Sequence, residues 1–186
     1  MERCAAFSIV VLLLGASIGQ RNEARDGDWW LALDVDQRTQ VMAGYFDYYV
    51  YERKGTVPFG GSFMSYERLV SERLRQNPFE RERPVVKTLE LLASGDKASV
   101  DRLGRHGSFD GDYWRQAFAS ERLGFVQGLL EGVRHDPKPR AKFSKTFTWY
   151  VAQISAWYGV KDGVPEVITT RRAGDKIYDV LCRFKD

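Results

Sequence analysis

Residues 27–52 read GDWWLALDVDQRTQVMAGYFDYYVYE, and 84 residues later residues 111–136 read GDYWRQAFASERLGFVQGLLEGVRHD. Aligned without gaps, the two stretches keep Gly27 with Gly111, Asp28 with Asp112, Trp30 with Trp114, Arg38 with Arg122 and Gly44 with Gly128. The offset continues downstream, where Phe143, Phe147, Tyr150 and Ser155 fall on Phe59, Phe63, Tyr66 and Ser71, giving ten identities in 48 ungapped pairs. Unrelated segments of ordinary composition would share about three. Further on, Pro165 falls 81 after Pro84, and Gly174-Asp175-Lys176 falls 79 after Gly95-Asp96-Lys97, a shift that two small deletions would accommodate. A duplication of about 80 residues therefore organises the chain. That period is longer than common short solenoid repeats, so two pseudo-symmetric halves packed on each other are expected.

Each copy reads as a run of helices. Asp34 and Gln37 have the spacing of a capping box, which starts a helix expected to reach about Lys54 and stop at Gly55. Residues 56–61, TVPFGG, read as a loop, after which Ser62 can cap a helix over 63–76 with Phe63, Tyr66, Val70 and Leu74 on one face. Asn77-Pro78 marks a turn, residues 80–83 a charged connector, and Pro84 the start of a third helix that Gly95 ends. Residues 96–105 are expected to form a short fourth helix, and 105–111 the boundary between copies. Strand signals are weak, the best being Val167 to Thr170. The fold class is thus all-α, a bundle of three to four helices per copy, with residues 27–105 and 106–186 forming one compact domain.

At 100° per residue, Val41, Met42, Tyr45, Phe46 and Tyr49 share one sector of their helix, as do Phe125, Val126, Leu129, Leu130 and Val133. Both sectors are predicted core. Arg38 and Arg122 point at the same sectors and must snorkel or meet a buried acid. Gly44 and Gly128 each cost a helix up to about 1 kcal/mol relative to alanine, so their recurrence predicts close helix approach. Trp30 and Trp114 are expected to bury against the helix that follows. Asp47 and Glu131 fall opposite the core sector and are expected to be exposed, with ordinary carboxylate behaviour. The rings outnumber what one face can bury, which makes Tyr48, Tyr49, Tyr51, Trp157 and Tyr158 the candidate ligand or partner contacts.

The remaining composition narrows function by exclusion. With 28 basic and 25 acidic residues interspersed, the net charge of +3 leaves no block of one sign for nucleic-acid binding. Residues 1–19 have the layout of a secretory signal peptide: Arg3, an apolar run through Ala16, then small residues before Gln20. Residues 20–26 read as a flexible lead-in. The apolar run falls short of the roughly 20 residues that span a bilayer, so a periplasmic or secreted protein without integral membrane association is expected. Removal of the leader takes Cys4 and leaves Cys182 alone, so no intrachain disulfide can form. No HExxH, CxxC, GxSxG or phosphate-loop pattern occurs, and only His106 and His135 are present. No cofactor, metal site or catalytic residue is expected. The alternative is an envelope hydrolase that uses His106 or His135 with nearby acids.

The succession of Trp30 or Trp114, Arg38 or Arg122, then Gly44 with Tyr45, Phe46 and Asp47 resembles the helix found in small secreted bacterial proteins of unknown function. It is also remotely similar to the helical periplasmic immunity proteins that block type VI secretion amidase effectors. The resemblance implies a protein that acts by binding a protein partner in the cell envelope.

Overall fold

Helix α2, Val35–Glu52, begins on the reciprocal cap its sequence announces: the Gln37 N–H donates to Asp34 Oδ1 at 2.7 Å and the Asp34 N–H to Gln37 Oε1 at 3.3 Å. The computed structural model describes residues 25–52, 56–57, 59–94, 98–99, 109–161, 164–165 and 174–186. The leader, Gly55, His106, most of the expected 96–105 helix and Val167 to Thr170 lie outside them. The fold is all-α: α1 (Gly27–Ala32), α2, α3 (Phe63–Gln76), α4 (Val85–Ala93), α5 (Gly111–Gln116), α6 (Ala119–His135), α7 (Phe147–Trp157) and α8 (Ile177–Leu181). Among the described residues no helix is long and apolar enough to cross a membrane.

Residues 27–32 and 111–116 form helices of one and a half turns, each capped by an aspartate. Asp26 accepts from the Trp29 N–H, and Asp110 from the N–H groups of Asp112 and Tyr113. The start of α6 keeps half of the box seen in α2: Glu121 accepts the Phe118 N–H, but Phe118 has no side-chain acceptor to complete it. Ser62 caps α3 as expected by accepting from the Ser65 N–H at 3.2 Å.

The centre of the molecule is the crossing of α2 with α6. A Cβ on Gly44 would stand 2.0 Å from the Phe125 carbonyl oxygen, and one on Gly128 would stand 1.9 Å from that of Val41. Gly124 meets the backbone of Gln37, and Gly132 makes room for the Tyr48 ring. These contacts advance together along both helices, so the two run parallel. Glycines at 124, 128 and 132 give α6 a small residue every fourth position, the spacing that lets helix backbones touch.

Equivalent residues make equivalent bonds around this crossing. Trp30 Nε1 donates to Ser71 Oγ at 2.9 Å, and Trp114 Nε1 to Ser155 Oγ at 3.1 Å, each across 41 residues. The arginines differ. Arg38 Nε donates to Glu67 Oε1 at 2.7 Å, and Ser71 donates to the same oxygen at 2.9 Å. The position equivalent to Glu67 is Val151, so Arg122 turns to carbonyls, donating from Nε to Trp114 O at 2.8 Å and from Nη2 to Arg115 O at 3.4 Å. Desolvation by burial lowers the Arg122 pKa, against the opposing pull of Tyr113 and Glu121.

Asp26 bridges to Pro84 and the Val85 N–H donates to Arg25 O; Asp110 bridges to Lys176 and the Ile177 N–H donates to Phe109 O. The two bridges relate α4 and α8 at an interval of 92 residues, where the sequence match has an offset of 84. The segment expected to match α4, which follows Pro165, lies outside the described residues. Val160–Lys161 (β3) pairs antiparallel with Val164–Pro165 (β4). In the first copy Thr56–Val57 (β1) pairs with Ala98–Ser99 (β2), so these residues are extended where a loop and a helix were expected. β-Branched Thr56 and Val57 favour that conformation.

Candidate functional site: a stapled turn that displays Phe79

Between α3 and α4 the chain reads Leu74-Arg-Gln-Asn-Pro-Phe-Glu-Arg-Glu-Arg-Pro84. Asn77 ends α3 by donating from its backbone and from Nδ2 to Arg73 O, at 2.9 and 3.0 Å. Pro78, with φ fixed by its ring, opens a 3-10 turn over Pro78–Glu80. Arg73 closes the turn with a two-pronged pair, Nε to Glu80 Oε2 and Nη2 to Glu80 Oε1, both at 2.7 Å. These bonds hold the Glu80 carboxyl below its usual pKa and raise that of Arg73. Arg81 reaches back from Nε to Leu74 O at 2.8 Å, while its own carbonyl accepts the Gly27 N–H at 2.7 Å. A Cβ at Gly27 would lie 2.7 Å from Arg81 Cα, so glycine is what lets α1 sit against this turn.

The outcome is a rigid support for one side chain. Phe79 stands 93% exposed at the apex, with Arg75, Asn77, Glu82 and Arg83 exposed around it. An apolar ring on a turn held by an ion pair and backbone bonds pays little ordering entropy when it enters a partner's pocket, and the charged surround suits the rim of an interface. Sequence reasoning identified the turn and passed over Phe79. The available signal was a lone aromatic between Asn-Pro and four consecutive charged residues.

The aromatic candidates named from sequence are placed elsewhere. Tyr48 and Tyr49 are buried: Tyr48 donates to Asp136 Oδ2 at 2.7 Å and meets the Tyr178 ring edge-on, and the Tyr45 hydroxyl donates to that of Tyr49 at 3.1 Å. Tyr158 is also buried, with its hydroxyl on Asp175 O at 2.7 Å. These three are corrected from contact residues to core: Tyr48 fills the space between α2, α6 and α8, Tyr49 packs on Phe59, and Tyr158 packs on Trp114. Trp157 is half-buried, donates to Asp175 Oδ2 at 3.1 Å and carries the Arg183 guanidinium over its ring at 4.4 Å. The Tyr51 side chain lies outside the described residues.

Asp47 and Glu131 are likewise corrected. Each is only 5% exposed, since residues 41–49 and 124–133 are buried on every side of their helices. Glu131 accepts from Arg134 Nη1 at 2.8 Å, lies 3.6 Å from His135 Nε2, and forms part of the wall of a small apolar cavity beside Trp30, Met42 and Tyr45. Asp47 Oδ2 has no hydrogen-bond partner, and desolvation raises the Asp47 pKa well above its ordinary value. Among the described residues no cluster of three His, Cys, Asp or Glu side chains has metal-binding geometry. Comparison with known proteins gives no match: no family model, curated protein or solved structure corresponds to this chain.

Proposed function

We propose that this chain is a non-catalytic, extracytoplasmic binding protein, an inhibitor or immunity-type partner of a toxin or envelope enzyme, built from one helical unit used twice. The observation that carries the binding reading is the 93% exposed Phe79 on its ion-paired turn. A single exposed apolar side chain is ordinary on a protein surface; what supports the binding reading is that this ring stands on a turn fixed by the Arg73–Glu80 pair and backbone bonds, so it is presented at little ordering cost. The duplication is supported by the matched Trp–Ser bonds and aspartate caps, and the leader by the pattern of residues 1–19.

The test is capture of a partner from the envelope fraction of the producing cell by the mature protein and by Phe79→Ser. Loss of an interface anchor is expected to weaken retention by about tenfold or more. The unfolding free energy should stay within about 0.5 kcal/mol of wild type, because the ring is 93% exposed. Equal retention by the variant would remove Phe79 from the interface. Absence of any partner, together with turnover of a peptidoglycan or peptide substrate that His135→Ala abolishes, would favour the hydrolase instead.

A further inference from the structure

We infer that Asp47 is a proton-dependent latch for the C-terminal helix: its neutral carboxyl lets α8 close over α2, and its ionisation undocks α8. The inference stands on placement. Asp47 lies in the buried middle of α2, Oδ2 has no hydrogen-bond partner, and the next residue, Tyr48, packs its ring against Tyr178 of α8. Its counterpart Glu131 differs in having Arg134 and His135 beside it.

The surroundings decide which element gives way. Lys176 precedes α8 and Asp179 lies on it, the latter 3.4 Å from Arg140 Nη2, and from the segment entering α5 comes Asp110, whose Oδ2 lies 3.7 Å from Lys176 Nζ. Tyr113 on α5 also senses the charge of Asp47. On α6 the facing residues are the glycines and apolar side chains of the crossing, and on α3 Glu67 is already tied to Arg38. A charged Asp47, itself buried, would thus face two further carboxylates whose cations are already engaged, Lys176 with Asp110 and Arg140 with Asp179. Helix α2 cannot move away because its backbone touches α6. Helix α8 has five residues, too few to persist alone, and is held by the backbone bridge at Lys176, the Arg140–Asp179 pair and its buried face, none of which joins its backbone to α2.

The direction of the pH dependence follows. Desolvation, the largest influence on Asp47, raises its folded pKa, so docking is strongest below the ordinary carboxyl range near about 4 and weakens as pH rises through the folded value. Hydrogen exchange, corrected for intrinsic rates, would be followed in peptides covering residues 177–184 and 63–76 from about pH 5 to 9. The expected result is at least a tenfold loss of protection in 177–184 with no matching loss in 63–76, and a flat profile in Asp47→Asn. Lys176→Met, a change at a partly exposed site, should move the onset to higher pH by removing the charge that favours ionisation. A wild-type profile without the selective loss, an unchanged profile in Asp47→Asn, or an onset that Lys176→Met leaves in place or lowers would each overturn the latch.

Discussion

Gly44→Ala is expected to destabilise the protein by about 3 kcal/mol or more, although the same change inside an ordinary helix stabilises it by up to about 1 kcal/mol. The sign reverses because the added methyl would stand 2.0 Å from the Phe125 carbonyl oxygen and 3.0 Å from the Leu129 nitrogen, and both are helix backbone. A flexible side chain could move aside; here relief requires α2 and α6 to separate along their whole length, and that loosens the aromatic core on both sides. Gly128→Ala should behave alike, with Val41 O at 1.9 Å. Gly61→Ala is the control, since its nearest neighbour would be the Tyr66 ring edge at 3.4 Å, and a change within about 0.5 kcal/mol is expected. Denaturant midpoints of the three purified variants decide the matter. If Gly44→Ala raised the midpoint, the parallel crossing described above would be wrong.

The glycines show what could be read from the sequence and what could not. Their recurrence at 44 and 128 announced a close approach, and Asp34 with Gln37, Ser62 and Pro84 announced helix starts, because each of these signals depends on local geometry. Asp47 and Glu131 were misplaced for the opposite reason. A helical wheel assigns one face to the core, whereas α2 and α6 are covered all round, each burying a face of the other. Tyr48 and Tyr49 were misplaced by the same assumption, and Tyr158 because its burial against Trp114 is a long-range contact. The bridge between Asp110 and Lys176 left no sequence signal, since its backbone pairing is open to any residue type. Phe79 escaped because exposure is a property of the folded turn.

The second large effect concerns the buried pair that only one copy keeps. Arg38→Met is expected to cost about 3 to 5 kcal/mol, because it leaves the Glu67 carboxylate buried with Ser71 as its remaining donor. Glu67→Val alone should cost a comparable amount by leaving the Arg38 guanidinium with the Leu33 carbonyl and no counter-charge. The double variant is expected to cost less than either single one, since an apolar pair removes both desolvated charges at once. At the matching offset of 84 the sequence has Val151 in place of Glu67, Trp114 donates to Ser155 as Trp30 does to Ser71, and Arg122 is satisfied by the carbonyls that end α5. Arg122→Met should therefore cost only about 1 to 2 kcal/mol, the worth of hydrogen bonds between a charged donor and backbone acceptors plus lost packing on Trp114. Urea unfolding of the four variants and wild type gives the cycle directly. Additive losses for Arg38→Met and Glu67→Val, or a loss for Arg122→Met as large as that for Arg38→Met, would show that the pair is not what distinguishes the two copies energetically.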